Sequence, residues 1–279
     1  MTIKVVTDST SDIPPRLAEE LGITVVPVYV RFGEMVYRDR VDITGDDFYQ
    51  KLQNDPVHPI TEPPTPQDFA AVYQKLAQDA NGIISIHISG KLSATTNSAL
   101  LAKDLVETEC PIEVVDSQMV TMGLGLQVLT ANTIASSGQS LEQVTKEVKQ
   151  IIPGIHLIGL FDTLKYLALG GRIGKAKALL GSVLSVKPLL TMKEGELEPV
   201  GQVRNRASGM DRLFDFAKNA TDIQDLAIVH STSPDEAQAL AERLDPVFSK
   251  ERTRIIRLGP ALGVHGGPGI LFIALHGKM

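Results

Sequence analysis

Residues 83–99 read Ile83-Ile-Ser-Ile-His-Ile-Ser-Gly-Lys-Leu-Ser-Ala-Thr-Thr-Asn-Ser-Ala99, an alternating apolar run followed by a cluster of hydroxyls. The first half has the two-residue period of a strand, with Ile84, Ile86 and Ile88 on one face, and Ser89-Gly90 end it. From Ala94 to Val106 the period changes. Leu100, Leu101 and Leu105 recur at helical spacing, which predicts a helix whose first turn holds Ser93, Thr95, Thr96 and Asn97. A helix start carries free backbone N–H groups and the positive end of the macrodipole. Hydroxyls there either cap the helix or join it in holding an anion.

The same strand-then-hydroxyl pattern occurs on both sides of this stretch. Ile3 to Thr7 reads as a strand that stops at Asp8-Ser-Thr-Ser-Asp12, and Ile112 to Val115 as one that stops at Asp116-Ser117. Strands alternating with helices predict a parallel sheet, whose ligands bind beyond the carboxyl ends of the strands, where these clusters lie. Between them, a helix closes at Gly22, Val25 to Val30 reads as one strand, Gly33-Glu34 as a turn, and Thr44 as a helix start. His58 to Pro66 is too proline-rich for a helix or a central strand, and Thr65 with Pro66 and Asp68 starts the next helix. Helices over 123–135 and 141–152, the latter capped by Ser140, lead to a boundary near Pro153-Gly154, dividing the chain into 1–153 and 154–279.

The second part reads as a strand over 155–160, a short helix over 164–169 stopped by Gly170-Gly171, and a hairpin over 187–204 around Glu194-Gly195. A helix over 207–220, a strand over 226–230, a helix capped by Ser233, and strands over 254–258 and 270–275 follow. His265-Gly-Gly-Pro-Gly269 reads as a glycine-rich loop, and the strand spacing predicts a mixed sheet.

The 279 residues suffice for a sizeable core, and a net charge of −6 without a Lys/Arg block argues against a nucleic-acid surface. Cys110 stands alone, so no internal disulfide framework exists. No signal-like apolar stretch opens the chain and no apolar run approaches a bilayer span, so a cytoplasmic protein is expected. The six histidines show no metal-ligand spacing, and no metal is expected. Gly170-Gly-Arg-Ile-Gly174-Lys175 is one residue short of a phosphate loop and has Ala176 where a hydroxyl is needed; a helix end plus turn explains it. Gly123-Leu-Gly125 lacks the third glycine of a dinucleotide fingerprint. A serine-dependent esterase or acyl hydrolase using Ser93 and His265 is the alternative from the residues themselves, although no Gly-x-Ser-x-Gly elbow occurs.

Six stretches follow one another in a telling order: Val6-Thr-Asp-Ser-Thr-Ser-Asp-Ile-Pro14, Thr61-Glu-Pro-Pro-Thr-Pro66, Ile88-Ser-Gly-Lys-Leu-Ser-Ala-Thr95, Val115-Asp-Ser117, Thr163-Leu-Lys-Tyr-Leu-Ala-Leu-Gly-Gly-Arg-Ile173 and His265-Gly-Gly-Pro-Gly269. In that order they resemble the motifs of the DegV family of bacterial fatty-acid-binding proteins, over essentially the whole chain. The resemblance implies two α/β domains, the first with a mainly parallel sheet and the second with a mixed one. A long-chain fatty acid such as palmitate is expected between them, its tail in an apolar tunnel. Thr61, Ser93 and His265 match the positions that bind its carboxylate, and Asp8, Ser9, Thr95, Asn97 and Ser117 are candidates to support them from behind.

The resemblance further implies the binding subunit of a bacterial fatty acid kinase, acting in phospholipid metabolism. Such a subunit offers the carboxylate to a separate ATP-binding kinase subunit for acyl-phosphate formation. The chain is then a lipid-binding protein without catalytic residues or cofactor, touching a membrane surface at most transiently. Arg172 and Arg204 match positions where a basic residue is expected at the ligand mouth or the kinase-docking face. The chain departs from the family pattern at Gly90, Ala94, Thr96 and Glu62, where Ser, Gly, an aromatic residue and Ser are usual. Glu62 is expected to point outward, since an inward carboxylate would repel the ligand.

Overall fold

The computed structural model describes residues 2–179 and 186–279. Strand β1 (Ile3–Asp8) opens the chain, and Ser9–Ser11 make a 3₁₀ turn that ends at Asp12, which holds φ 56°. Helix α1 (Pro15–Leu21) closes at Gly22, and β2 (Thr24–Val26), β3 (Tyr29–Phe32) and β4 (Met35–Arg38) follow. The single strand expected over Val25 to Val30 is thus two strands in two different sheets. Pro27 offers no N–H to a ladder, and the Val28 N–H donates to Ser9 Oγ at 3.0 Å, so the chain leaves the first sheet at Val26.

Helix α2 (Gly45–Asn54) starts at Thr44 as expected. The proline-rich loop contributes only a three-residue edge strand, β5 (Ile60–Glu62), and then Thr65 and Asp68 form a reciprocal capping box at α3 (Pro66–Leu76). Strand β6 (Gly82–His87), helix α4 (Thr95–Lys103), β7 (Ile112–Asp116), α5 (Thr121–Ser136) and α6 (Leu141–Ile151) complete this part. Helix α4 departs from expectation in its facing: Leu100, Leu101 and Leu105 are exposed, while Thr95, Thr96, Ser98, Ala99 and Ala102 are buried. Phe69 and Tyr73 of α3 already fill that layer against the sheet, leaving room only for small side chains on α4.

The remainder runs β8 (Ile155–Leu160), α7 (Lys165–Leu169), β9 (Lys187–Lys193), β10 (Glu196–Val203), α8 (Arg206–Asn219), β11 (Thr221–His230), α9 (Pro234–Leu244), β12 (Arg254–Arg257), α10 (Pro260–Gly266) and β13 (Leu271–Lys278). Ser233 stands at the start of α9 but makes no side-chain cap bond. Helix α10 corrects the loop expected around His265: Gly259 and Pro260 start a helix, and His265 sits in its last turn. The density of glycine there hid a helical period from the sequence.

The first sheet, ordered β2-β1-β6-β7, is parallel throughout. The second, β10-β9-β8-β13-β11-β12, is antiparallel except for the β11–β12 pair and is therefore mixed. A third, antiparallel sheet, β4-β3-β5, was not expected. Helix α5, with eleven buried residues, packs against β1 and β6 of the first sheet and β8, β11 and β13 of the second. Such a helix must be apolar all round, and it joins both sheets into one core. Gly125 allows the closest approach, since a Cβ there would lie 2.6 Å from the Ser11 carbonyl oxygen. Among the described residues no helix is long and apolar enough to cross a membrane.

Candidate functional site

A cavity of about 700 Å³, counted to its open mouth, lies beyond the carboxyl ends of β1 and β6 and against the second sheet. Phe161, Leu197, Ile270 and Phe272 make its apolar part, and Thr10, Thr61, Ser93, Arg172 and His265 supply its polar side chains. Phe161 and Phe272 meet edge to face, with centroids 5.5 Å apart.

Each polar group is brought there by a different element. Thr61 comes from β5, and its Oγ1 lies 2.8 Å from His265 Nε2 of α10. Burial, then the charges of Arg172 and His58, push the His265 imidazole down to about 4, so it is neutral at pH 7. Its Nδ1 is buried with no hydrogen-bond partner among the described residues and faces Gly170, where a Cβ would lie 2.1 Å away. A proton on Nδ1 would be a buried donor without an acceptor, so the single ring proton belongs on Nε2 and is donated to Thr61 Oγ1. The Thr61 hydroxyl proton then remains for another acceptor.

Ser93 precedes α4, whose N-cap, Ala94, offers no side-chain bond. The Thr95 N–H donates to Ser93 Oγ at 3.3 Å, and the two hydroxyls are 2.8 Å apart. Arg172 links the two halves of the polar end, donating from Nε to the Leu92 carbonyl at 3.3 Å and from Nη1 to that of Gly170 at 2.7 Å. One contact stands beside Ser93 and the other beside His265.

The supporting candidates divide. Asp8 accepts from the Thr10 N–H at 3.0 Å and the Ile88 N–H at 3.1 Å, and also takes the Thr10 hydroxyl, which orients Thr10 toward the cavity. Ser9 holds Val28, and the Ser117 hydroxyl accepts from Met119 N–H at 3.1 Å, so both shape backbone rather than face the cavity. Thr95 is buried behind Ser93. Asn97 is exposed and does not line the cavity. Arg204 is also exposed, just past the end of β10, seven residues from Leu197 and at the opposite end of the hairpin from Gly195.

The departures at Gly90, Ala94, Thr96 and Glu62 are accommodated. Gly90 N–H donates to Asp116 Oδ2 at 3.1 Å, and Thr96 Oγ1 donates to the Ile88 carbonyl at 2.9 Å, tying α4 to the end of β6. Ala94 is exposed at the helix start. Glu62 pairs with Arg31 Nε at 2.7 Å and Nη2 at 3.0 Å, outside the cavity lining, and this pairing lowers its carboxyl pKa.

Sequence reasoning missed Thr10 as a lining residue, and it missed a buried chain of polar groups. Asp8 Oδ2 accepts from His87 Nδ1 at 3.0 Å, His87 Nε2 faces Ser85 Oγ at 2.6 Å, and the Tyr73 hydroxyl donates to Ser85 at 2.8 Å. The only signal was the two-residue spacing of Ser85 and His87 on a strand. This Ser–His–Asp chain is fully buried and lines no part of the cavity, so it positions loops and offers no nucleophile. The hydrolase alternative gains no support either: Ser93 is bonded to Thr95 and His265 to Thr61, not to each other. Among the described residues no group of three or more His, Cys, Asp or Glu stands where it could hold a metal ion.

The family model described as "Uncharacterised protein, DegV family" matches residues 2–277. A DegV domain-containing protein of Streptomyces coelicolor is 36% identical over 281 aligned residues, covering 99% of both chains. Among solved structures, a fatty-acid-binding DegV family protein from Thermus thermophilus is 36% identical, with a TM-score of 0.91 and coverage of 99% and 100% of the two chains. A stearic-acid-binding protein from Eubacterium ventriosum is 27% identical, with a TM-score of 0.89 over 99% and 98% of the two chains.

Proposed function

The chain belongs to the DegV family, and from that premise we propose that it binds a long-chain fatty acid and presents the carboxylate to a separate ATP-binding kinase subunit. One geometric fact supports this most: Thr61, Ser93 and His265, far apart in sequence, line the same largely apolar cavity, together with Thr10 and Arg172. The tail lies among Phe161, Leu197, Ile270 and Phe272, where a sixteen-carbon chain contributes on the order of 10 kcal/mol before ordering and association costs. The carboxylate accepts from the Thr61 and Ser93 hydroxyls and takes the place that neutral His265 leaves uncharged. Hydroxyl donors suit transfer: they restore the hydrogen bonds lost on leaving water, yet do not clamp both oxygens as a bidentate guanidinium would. We assign 1–153 and 154–279 to the two units that enclose the ligand, because β7 is the last strand of the first sheet and β8 the first in sequence of the second.

Organic extraction of the purified protein followed by mass spectrometry is expected to release a long-chain fatty acid. A lipid-free extract, together with no uptake of added palmitate or oleate, defeats the proposal. The kinase role has its own test. Arg204 is exposed and outside the cavity, so Arg204→Glu should leave the bound lipid unchanged while slowing acyl-phosphate formation by the kinase subunit, since rim charges act mainly on association. Unchanged phosphorylation removes Arg204 from the docking face, and loss of lipid with it puts the residue in the ligand site.

A further inference from the structure

We infer that Thr95 is a positioning residue that turns the Ser93 hydroxyl proton into the cavity, an inference that rests on the fatty-acid proposal above. The two hydroxyls are 2.8 Å apart, and either could donate. Their surroundings decide the direction. Thr95 is fully buried, and Ser93 Oγ is the one hydrogen-bond partner its hydroxyl has among the described residues. If Ser93 donated to Thr95, the Thr95 proton would be left inside the protein with no acceptor, the costly arrangement for a buried hydroxyl. With Thr95 donating, that proton is satisfied, and Ser93 Oγ receives both the Thr95 hydroxyl and the Thr95 N–H at 3.3 Å.

Two donors on one oxygen occupy its lone pairs and leave its own O–H as the group facing the cavity that Ser93 lines. They also polarise that O–H, because hydrogen bonds in a chain strengthen one another. The pattern repeats across the site. There His265 Nε2–H donates to Thr61 and frees the Thr61 proton, so two donors each set a hydroxyl toward the cavity that both hydroxyl residues line. Ser93 thereby becomes selective for a group that only accepts, such as a carboxylate, over one that must donate.

The test is palmitate affinity in four proteins: parent, Thr95→Val, Ser93→Ala and the double variant, with Thr95→Ser as the conservative rescue. Thr95→Val should weaken palmitate roughly two- to ten-fold, the effect of one neutral hydrogen bond, and Thr95→Ser should restore it. In the Ser93→Ala background the same substitution should have no further effect, because Thr95 acts only through Ser93. Should Thr95→Val not fold, Thr95→Ala takes its place in the cycle. Equal weakening with and without Ser93, no weakening at all, or failure of Thr95→Ser to rescue overturns the inference. Ser93→Ala binding as tightly as the parent removes Ser93 as the donor and Thr95's role with it, and a parent that takes up no palmitate ends the fatty-acid proposal itself.

Discussion

Asp12→Ala should destabilise the fold by about 3 to 5 kcal/mol, the cost of leaving a buried charge without its partner. Asp12 has no exposed surface, and its carboxylate accepts from Arg40 Nη2 at 2.6 Å, Thr121 Oγ1 at 2.6 Å and Gly259 N–H at 2.9 Å. Those partners lie after β4, at the start of α5 and at the start of α10, so one side chain ties together the third sheet, the central helix and the helix that carries His265. Burial pushes the Asp12 carboxyl up, while the guanidinium and the two other donors oppose it. Arginine does not give up its proton, so Arg40 keeps a largely buried charge once Asp12 is gone, with only the neighbouring Asp39 carboxyl to oppose it. Arg40→Met should cost less, because Asp12 keeps its Thr121 and Gly259 donors and can take up a proton. Chemical unfolding checks both, and a thermal melt should fall by roughly 10 °C for Asp12→Ala, at about 2 to 4 °C per kcal/mol for chains near this size. An Asp12→Ala midpoint within a degree of the parent's would show that the three elements are held by packing alone.

That junction also marks where the sequence stops being legible. Helix starts at Thr44, Thr65 and Ser140 could be read in advance because a cap is local chemistry among residues three apart. The parallel order of β1, β6 and β7 followed from strands alternating with helices. The third sheet did not, because leaving the first sheet at Pro27 depends on Ser9, nineteen residues away, taking the Val28 N–H. Nor did the facing of α4, where the bulk of Phe69 and Tyr73 on another helix decides that Leu100 and Leu101 stay outside. At the cavity, Thr61, Ser93 and His265 were legible as residue types in ordered motifs. Thr10 and the Asp8–His87–Ser85 chain were not, since they exist only when β1 and β6 lie side by side.

Thr61→Val and Ser93→Ala should each weaken palmitate binding by about 1.5 to 3 kcal/mol, roughly ten- to a hundred-fold, as expected for a lost hydrogen bond to a charged group. Thr61→Val keeps the shape of the side chain and deletes the hydroxyl. It also strips His265 Nε2–H of its acceptor, so the ring must turn its proton toward the ligand or leave it unpaired. Ser93→Ala has no such side effect on a histidine, and comparing the two separates the direct donor from the loss at His265. Water entering the vacated volume can bridge part of the gap, so the lower end of the range belongs to whichever site is closer to the mouth. Because the hydroxyls belong to different elements and share no hydrogen bond in the structure, their effects on affinity should nearly add in the double variant, to the extent that the ligand stays in place. The same proteins discriminate the hydrolase alternative. A nucleophilic Ser93 would turn over short acyl esters and be labelled by an organophosphonate, and both would vanish with Ser93→Ala. A carboxylate donor does neither. If both single variants bind palmitate like the parent and support acyl-phosphate formation as well, Thr61 and Ser93 serve only the local backbone and the carboxylate lies elsewhere in the cavity.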